Sequence, residues 1–279
     1  MGVPLRPTAV AASARSVYRE VAPPPALAAV LACGWHGRTG WARPLRVLPD
    51  GCADLVWDGT ALTVAVTVGV PVRMWLPASE TRVGVRLRCG AAAAVLGTPM
   101  PELPAGATRL SDLWGDGARR AEDALAATAD PVAQREILEA LVAGRGVTPD
   151  RRVLAAVLVL GRPSVRAAEV AGELGVSERA LRRHLVHAVG AGPKQVHRIR
   201  RFQRFLHRLE PLAAHRTSLA AVAADLGYAD QSHLGRDCRR LSGSSPAALV
   251  RVAEKFQTRP VPPGQDRRHG FPGHDPGAL

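Results

Sequence analysis

Two stretches, Ala168–Pro193 (AEVAGELGVSERALRRHLVHAVGAGP) and Ala220–Pro246 (AAVAADLGYADQSHLGRDCRRLSGSSP), decide how the chain is read, because the second repeats the pattern of the first. Val170, Leu174 and Gly175 recur 52 residues later as Val222, Leu226 and Gly227. Leu181, Arg183, Gly190 and Pro193 recur 53 residues later as Leu234, Arg236, Gly243 and Pro246, so one extra residue in the turn accounts for the change of offset. Each copy reads as a helix, a short turn closed by glycine, and a second helix. Ser177 and Asp230 are the expected caps of the second helices, since their side chains accept hydrogen bonds from free backbone N–H groups.

A pair of helices joined in this way suits a reader of double-stranded DNA, in which the first helix braces and the second lies in the major groove. Counted from the Ser177 cap, Ala180, Leu181, Leu185 and Val189 face inward, and Arg179, Arg182 and Arg183 share the outward face. In the second copy Leu234, Cys238 and Leu241 point inward, with Gln231, Ser232, Gly235 and Arg236 outward. Arginine grips guanine, and glutamine adenine, through two hydrogen bonds, each good pair discriminating by roughly 1 to 3 kcal/mol. Between the copies, Pro193–Leu209 predicts one amphipathic helix of 17 residues, about 25 Å long at 1.5 Å per residue. Val196, Ile199, Phe202, Leu206 and Leu209 form its stripe. Arg198, Arg200, Arg201, Arg204 and Arg208 surround it, some expected on phosphate and others keeping the strut solvated. Such a strut would hold two readers near the ~34 Å separation of successive major grooves on one face of DNA.

The charge agrees with this reading. The 279 residues carry +13, of which residues 1–150 supply 15 basic against 14 acidic groups and the remainder 22 against 10. A neutral half joined to a half that meets a polyanion is the simplest interpretation. Only Lys194 and Lys255 among the 37 basic residues are lysines, so arginine abundance alone says little and position decides.

The first half reads as strands. Thr81–Cys89 (TRVGVRLRC) alternates, with Val83, Val85, Leu87 and Cys89 on one face and Arg82, Arg86 and Arg88 on the other, expected to face solvent. Leu62–Val68 (LTVAVTV) alternates likewise, and Asp58-Gly59 reads as the hairpin turn joining it to Asp54–Trp57. All five tryptophans lie in this half, where they would line a pocket or fill a core. Helical periodicity begins near residue 111, with Ser111 and Asp130-Pro131 as helix starts. The second of these helices has the stripe Val132, Ile137, Leu138, Leu141 and Val142 and ends at Gly144. The expected division is 1–149, a sensor, effector or dimerisation domain; 150–256, the paired readers; and 257–279, a disordered tail rich in proline and glycine. The fold class is α+β, a mainly antiparallel β domain with trailing helices followed by an all-α domain.

Residues about 150 to 255 resemble the DNA-binding domain of AraC/XylS-type transcription regulators. The resemblance rests on Leu174-Gly175-Val176-Ser177 with Leu181-Arg182-Arg183, on Gly192-Pro193 leading to Arg200-Arg201-Phe202, and on Leu226 to Leu234 followed by Arg236, Gly243 and Ser245-Pro246. It implies DNA contacts from Arg179, Arg182, Arg183, Gln231, Ser232 and Arg236, with RNA polymerase as a further partner. Val47–Trp57, Val83–Leu87 and Leu113–Asp116 are similar to an uncharacterised sensor-like domain found before such units. That implies a small-molecule effector, a homodimer or both. Two departures from the family pattern are Cys238, where an aromatic is usual, and Gly235 inside the second reading helix.

Four unpatterned cysteines fit a reducing cytoplasm rather than a disulfide framework, and no apolar stretch approaches the ~20 residues of a membrane span. Ala26–Cys33 is a poor export signal, because Glu20 and Pro23-Pro24-Pro25 precede it. Cys33 and His36 are spaced as two metal ligands could be, and Cys52 would add a third, but a structural zinc site normally needs four with recognisable spacing, so neither a metal nor a cofactor is expected. No phosphate loop, nucleophile elbow or H-E-x-x-H occurs, so the chain is not expected to be an enzyme. The enzymatic alternative is a DNA-repair-type cysteine alkyl acceptor fused to a DNA reader. It needs a cation or basic neighbour to form the thiolate, and Cys52 sits between Asp50 and Asp54 instead.

Overall fold

The computed structural model describes residues 16–104 and 106–257. The N-terminal domain is built from β1 (Val17–Val21), β2 (Leu31–Arg38), β3 (Arg43–Val47), β4 (Ala53–Trp57), β5 (Leu62–Val66), β6 (Val72–Leu76) and β7 (Thr81–Leu87), followed by α1 (Ala92–Leu96), β8 (Gly106–Arg109), α2 (Leu110–Trp114), α3 (Asp116–Ala126) and α4 (Pro131–Ala143). Six strands form an antiparallel sheet in the order β1-β2-β7-β4-β5-β8, and β3 pairs with β6 in a separate ribbon. The C-terminal domain is helical: α5 (Arg151–Val159), α6 (Ala167–Glu173), α7 (Glu178–Val189), α8 (Pro193–Leu206), α9 (Leu209–Ala213), α10 (Leu219–Asp225), α11 (Gln231–Ser242) and α12 (Pro246–Gln257). The α+β class read from the sequence is the class observed. Of the expected tail, Gln257 closes α12 and residues 258–279 lie outside the described residues.

Strand alternation builds the first core. Val83, Val85 and Leu87 are fully buried and meet Leu31, Leu55 and Leu62 from neighbouring strands and Leu110, Leu125 and Leu138 from the covering helices. The β4–β5 hairpin turns at Asp58-Gly59, where the Asp58 carboxylate accepts from the N–H groups of Thr60 and Ala61. Of the tryptophans, Trp57 is buried in this core and Trp114 packs against it, while Trp41 and Trp75 are exposed.

Two further cores occupy the helical region. One gathers Val153, Val157, Leu181, Leu185, Val189 and Val196 together with Cys52 and Cys89 from the N-terminal domain. The other gathers Ile199, Phe202, Phe205, Leu234, Cys238 and Leu241. The apolar stripe of α8 therefore feeds both, Val196 entering one and Ile199 and Phe202 the other.

Several expectations are corrected. Arg86 is buried rather than solvent-facing, because carboxylates on neighbouring strands line its side of the sheet. Ser111 does not cap α2: β8 runs directly into the helix at Leu110, so Ser111 is already helical and makes no cap bond. Asp130 does cap α4, accepting from the N–H groups of Val132 and Ala133, yet Val132 itself stays exposed while Leu138 and Val142 are buried. The linker helix is shorter than expected, 14 residues, or about 21 Å. The chain turns at His207–Arg208 so that Leu209 and Leu212 of α9 reach the third core. Gly235 is buried instead of outward.

The sheet leaves no room for a side chain at Gly84, where a methyl group would come within 2.5 Å of the Trp35 ring and 2.8 Å of the Leu55 carbonyl oxygen. The backbone oxygen cannot withdraw without opening the β4–β7 ladder. Gly84→Ala is expected to lower stability by about 1 to 3 kcal/mol, the usual effect of overpacking. A urea unfolding midpoint equal to wild type would contradict this.

Candidate nucleic-acid interface

Local chemistry folds the two repeats alike. The chain leaves α6 at Gly175 (φ 63°) and α10 at Gly227 (φ 72°), left-handed positions that only glycine adopts without strain. Ser177 Oγ then accepts from the N–H of Ala180 at 3.2 Å, and Asp230 Oδ1 from the N–H of His233 at 2.6 Å, starting the second helix of each pair. Leu181, Leu185 and Val189, and in the other copy Leu234, Cys238 and Leu241, are buried as the spacing requires.

The opposite faces of α7 and α11 carry the residues singled out in the sequence, and all six are exposed: Arg179, Arg182 and Arg183 on α7, Gln231, Ser232 and Arg236 on α11. Arg182 reaches back toward the turn into α8, its guanidinium 3.2 Å from where a methyl group on Gly192 would sit. On α11 the three residues line one recess of about 380 Å³, together with Leu219, Arg239 and Ser245. Arg239 is the residue that sequence reading passed over. It stands one turn beyond Arg236, and its guanidinium lies 3.5 Å from the place a Gly235 side chain would begin. Among the described residues, none of Arg179, Arg182, Arg183, Arg236 and Arg239 is in an ion pair.

The linker arginines behave differently. Arg201 is buried; it pairs with Asp237 at 2.9 Å, donates to the Gly227 carbonyl at 3.1 Å and stacks over the Tyr228 ring at 3.8 Å. Its second amino group lies 3.2 Å from His233 Nε2, which must then present its lone pair. Arg198 also pairs with Asp237, at 3.0 Å, and Arg204 donates to the Gly161 carbonyl at 2.6 Å. Arg198, Arg201 and Arg204 therefore fasten α8 to its neighbours, in place of the phosphate contacts or simple solvation expected of them. His197 Nδ1–H donates to the Leu160 carbonyl at 2.8 Å and joins α8 to α5. Burial lowers its pKa from the ordinary 6.5 in spite of that bond.

A second polar cluster lies on the far side of the sheet. Arg86 faces Asp54 at 3.2 Å, Glu20 at 3.3 Å and Asp50 at 3.8 Å, and Trp35 Nε1–H donates to Asp54 at 2.7 Å. Burial works against the Arg86 charge, but Asp54 and Asp50 hold it firmly protonated. Burial raises Asp50 above the ordinary carboxylate range. The cysteines are all buried free thiols. Burial pushes Cys33 and Cys89 up to about 12. Cys52 is also pushed up, by burial and then by Asp50. Among the described residues, no group of three or more His, Cys, Asp and Glu side chains is arranged to hold a metal ion, and no helix is long and apolar enough to cross a membrane.

Residues 170–251 match the family model described as a helix-turn-helix domain, and residues 19–106 match a domain of unknown function, DUF6597. The helical half therefore carries a helix-turn-helix domain, preceded by that domain of unknown function. None of the curated proteins matches. Among solved structures, the C-terminal domain of AraT, a response regulator from Geobacillus stearothermophilus, is similar at 18% identity over 43% of this chain and 95% of that one, with a TM-score of 0.34. ToxT from Vibrio cholerae O395, bound to (E)-4-(8-methylnaphthalen-1-yl)but-3-enoic acid, is similar at 10% identity over 85% of this chain and 98% of that one, with a TM-score of 0.41.

Asp237→Ala would leave Arg201 buried without its carboxylate, and is expected to destabilise the protein by about 3 to 5 kcal/mol. Arg198, which is partly exposed, should lose no more than about 1 kcal/mol on truncation to alanine. Equal urea midpoints for the two variants would contradict this ranking. For His197 the sign follows from its lowered pKa: the unfolded chain takes up the proton more readily, so stability is present above pH 6.5 and is lost as the pH falls below it. His197→Gln keeps a donor for Leu160 and should lose less stability than wild type between about pH 7.5 and about pH 5.5. Parallel pH profiles would show that His197 does not contribute.

Proposed function

We propose that the chain is a sequence-specific DNA-binding transcription regulator. Two capped helix-turn-helix units whose reading arginines are exposed and, among the described residues, not in ion pairs, in a domain where the linker arginines Arg198, Arg201 and Arg204 are engaged in packing, carry this reading. Arg179, Arg182 and Arg183 read or grip the first half-site, and Gln231, Ser232 and Arg236 the second, which lies one helical turn away on the same face. The division into an N-terminal sensor up to residue 149 and a reader from 150 to 256 belongs to the same proposal. The N-terminal domain senses a small molecule or a partner and changes how the readers meet the operator. A regulator of this kind works in the cytoplasm beside RNA polymerase, and a second copy of the chain is a further partner. Catalysis has no part in the reading. The alkyl-acceptor alternative needs a reactive thiolate, and burial drives Cys33, Cys52, Cys89 and Cys238 in the opposite direction.

Selection of bound DNA from a random pool should return a motif spanning two half-sites. Arg183→Ala should then weaken operator binding by about 1 to 3 kcal/mol and relax the preference at one base of the first half-site. A uniform loss on all sequences would make Arg183 a phosphate contact, and recovery of no motif would overturn the function.

A further inference from the structure

The reading helices end at equivalent places in the repeat, α7 at Gly190 (φ 77°) and α11 at Gly243 (φ 70°). The N-terminal domain touches both ends, through different elements. Met100, in the short turn Met100–Glu102, lies 3.5 Å from where a Gly190 side chain would begin, and Val189 lies 3.5 Å from where a Gly51 side chain would begin. Arg46 of β3 lies 3.3 Å from the corresponding point on Gly243; it donates to the Ser242 carbonyl and, at 3.2 Å, to Ser244 Oγ. A cation at the last carbonyls of a helix meets the negative end of its dipole and satisfies an otherwise unpartnered acceptor.

Between these grips a single segment touches the second unit, the linker helix α8 and the first unit in turn. Arg46 and Leu48 meet the second unit, the Pro49 carbonyl accepts from Gln203 of α8 at 2.7 Å, and Gly51 and Cys52 meet the first unit. Asp50, in the middle of the segment, faces Arg86 inside the N-terminal domain. The contacts fall on the C-terminal ends of α7 and α11, while the six reading residues remain exposed. A grip of this kind holds the readers without covering them.

We infer that the N-terminal domain, through residues 46–52, fixes the orientation of the second reader relative to the first, with Arg46 as a positioning residue for the second half-site. The inference rests on the DNA-reading function proposed above. Two readers joined by one helix would lose rotational freedom when the second docks; a second connection, through β3 and the loop that follows it, removes part of that loss beforehand. The same connection makes binding intolerant of altered half-site spacing.

The test uses the full chain and the operator selected by wild type, in three forms: intact, with the second half-site scrambled, and with one base pair inserted between half-sites. Arg46→Ala is expected to weaken binding to the intact operator about fivefold or more, the lower end of usual coupling between sites. It should leave affinity for the scrambled operator unchanged and shrink the penalty of the inserted base pair; Arg46→Lys should fall between the two. Thermal unfolding measured in parallel should match wild type, since Arg46 is exposed. Unchanged intact affinity with an unchanged spacing penalty would overturn the inference. So would an equal loss on intact, scrambled and random DNA, which would make Arg46 a phosphate contact. If wild type itself selected no motif, the DNA-reading function would fall first, which is a different result from a motif that Arg46 does not affect.

Discussion

Taking a guanidinium out of water is unfavourable unless its charge and its N–H groups are met, and the C-terminal domain meets them for Arg201 with Asp237, the Gly227 carbonyl and the face of Tyr228. These partners come from the turn after α10 and from α11, whereas Arg201 belongs to α8. The second helix-turn-helix is thereby tied at its bend and along its reading helix to the rod that also enters the first unit. Without this pairing, the direction of α11 would rest on the apolar row Leu234, Cys238 and Leu241 and on the Arg46 contact at its end.

Neither helix pair buries its apolar face alone. The stripe of α8 completes both cores, and the N-terminal domain adds Cys52 and Cys89 to one and Leu48 and Val68 to the rim of the other. Apolar cohesion thus crosses the boundary that composition suggests near residue 149. On the other side of the sheet the same logic applies to charge. Arg86 can be buried because Glu20, Asp54 and Asp50 converge on it from β1, β4 and the loop before β4.

What could be read from the sequence was local or periodic. The duplication, the Ser177, Asp230 and Asp130 caps, the Asp58-Gly59 hairpin and the buried face of β7 all follow from rules acting over a few residues, and all are present. The candidate reading residues were legible because helical spacing separates outward from inward positions. Arg86 and Arg201 were misjudged because periodicity assigns a face without saying what lies opposite it. A signal for Arg201 did exist: Asp237 occupies the inward row Leu234, Cys238 and Leu241, where an acid implies a buried cation. The break after Leu206 was hidden because Leu209 continues the apolar stripe into α9. The contacts of Arg46 and Pro49 join residues more than 150 positions apart, and no local pattern encodes them.

The distribution of aromatic chromophores gives the two domains different optical signatures. Every tryptophan lies between Trp35 and Trp114, and the helical half holds only Tyr228 besides its phenylalanines. Indole emission therefore reports on the β domain alone, with Trp57 shielded inside it and Trp41 and Trp75 in water. Melting of α5 to α12 leaves that emission untouched unless the N-terminal domain responds, while far-ultraviolet ellipticity is weighted toward those helices. The difference between the two signals measures, without any label, how strongly one domain senses the state of the other.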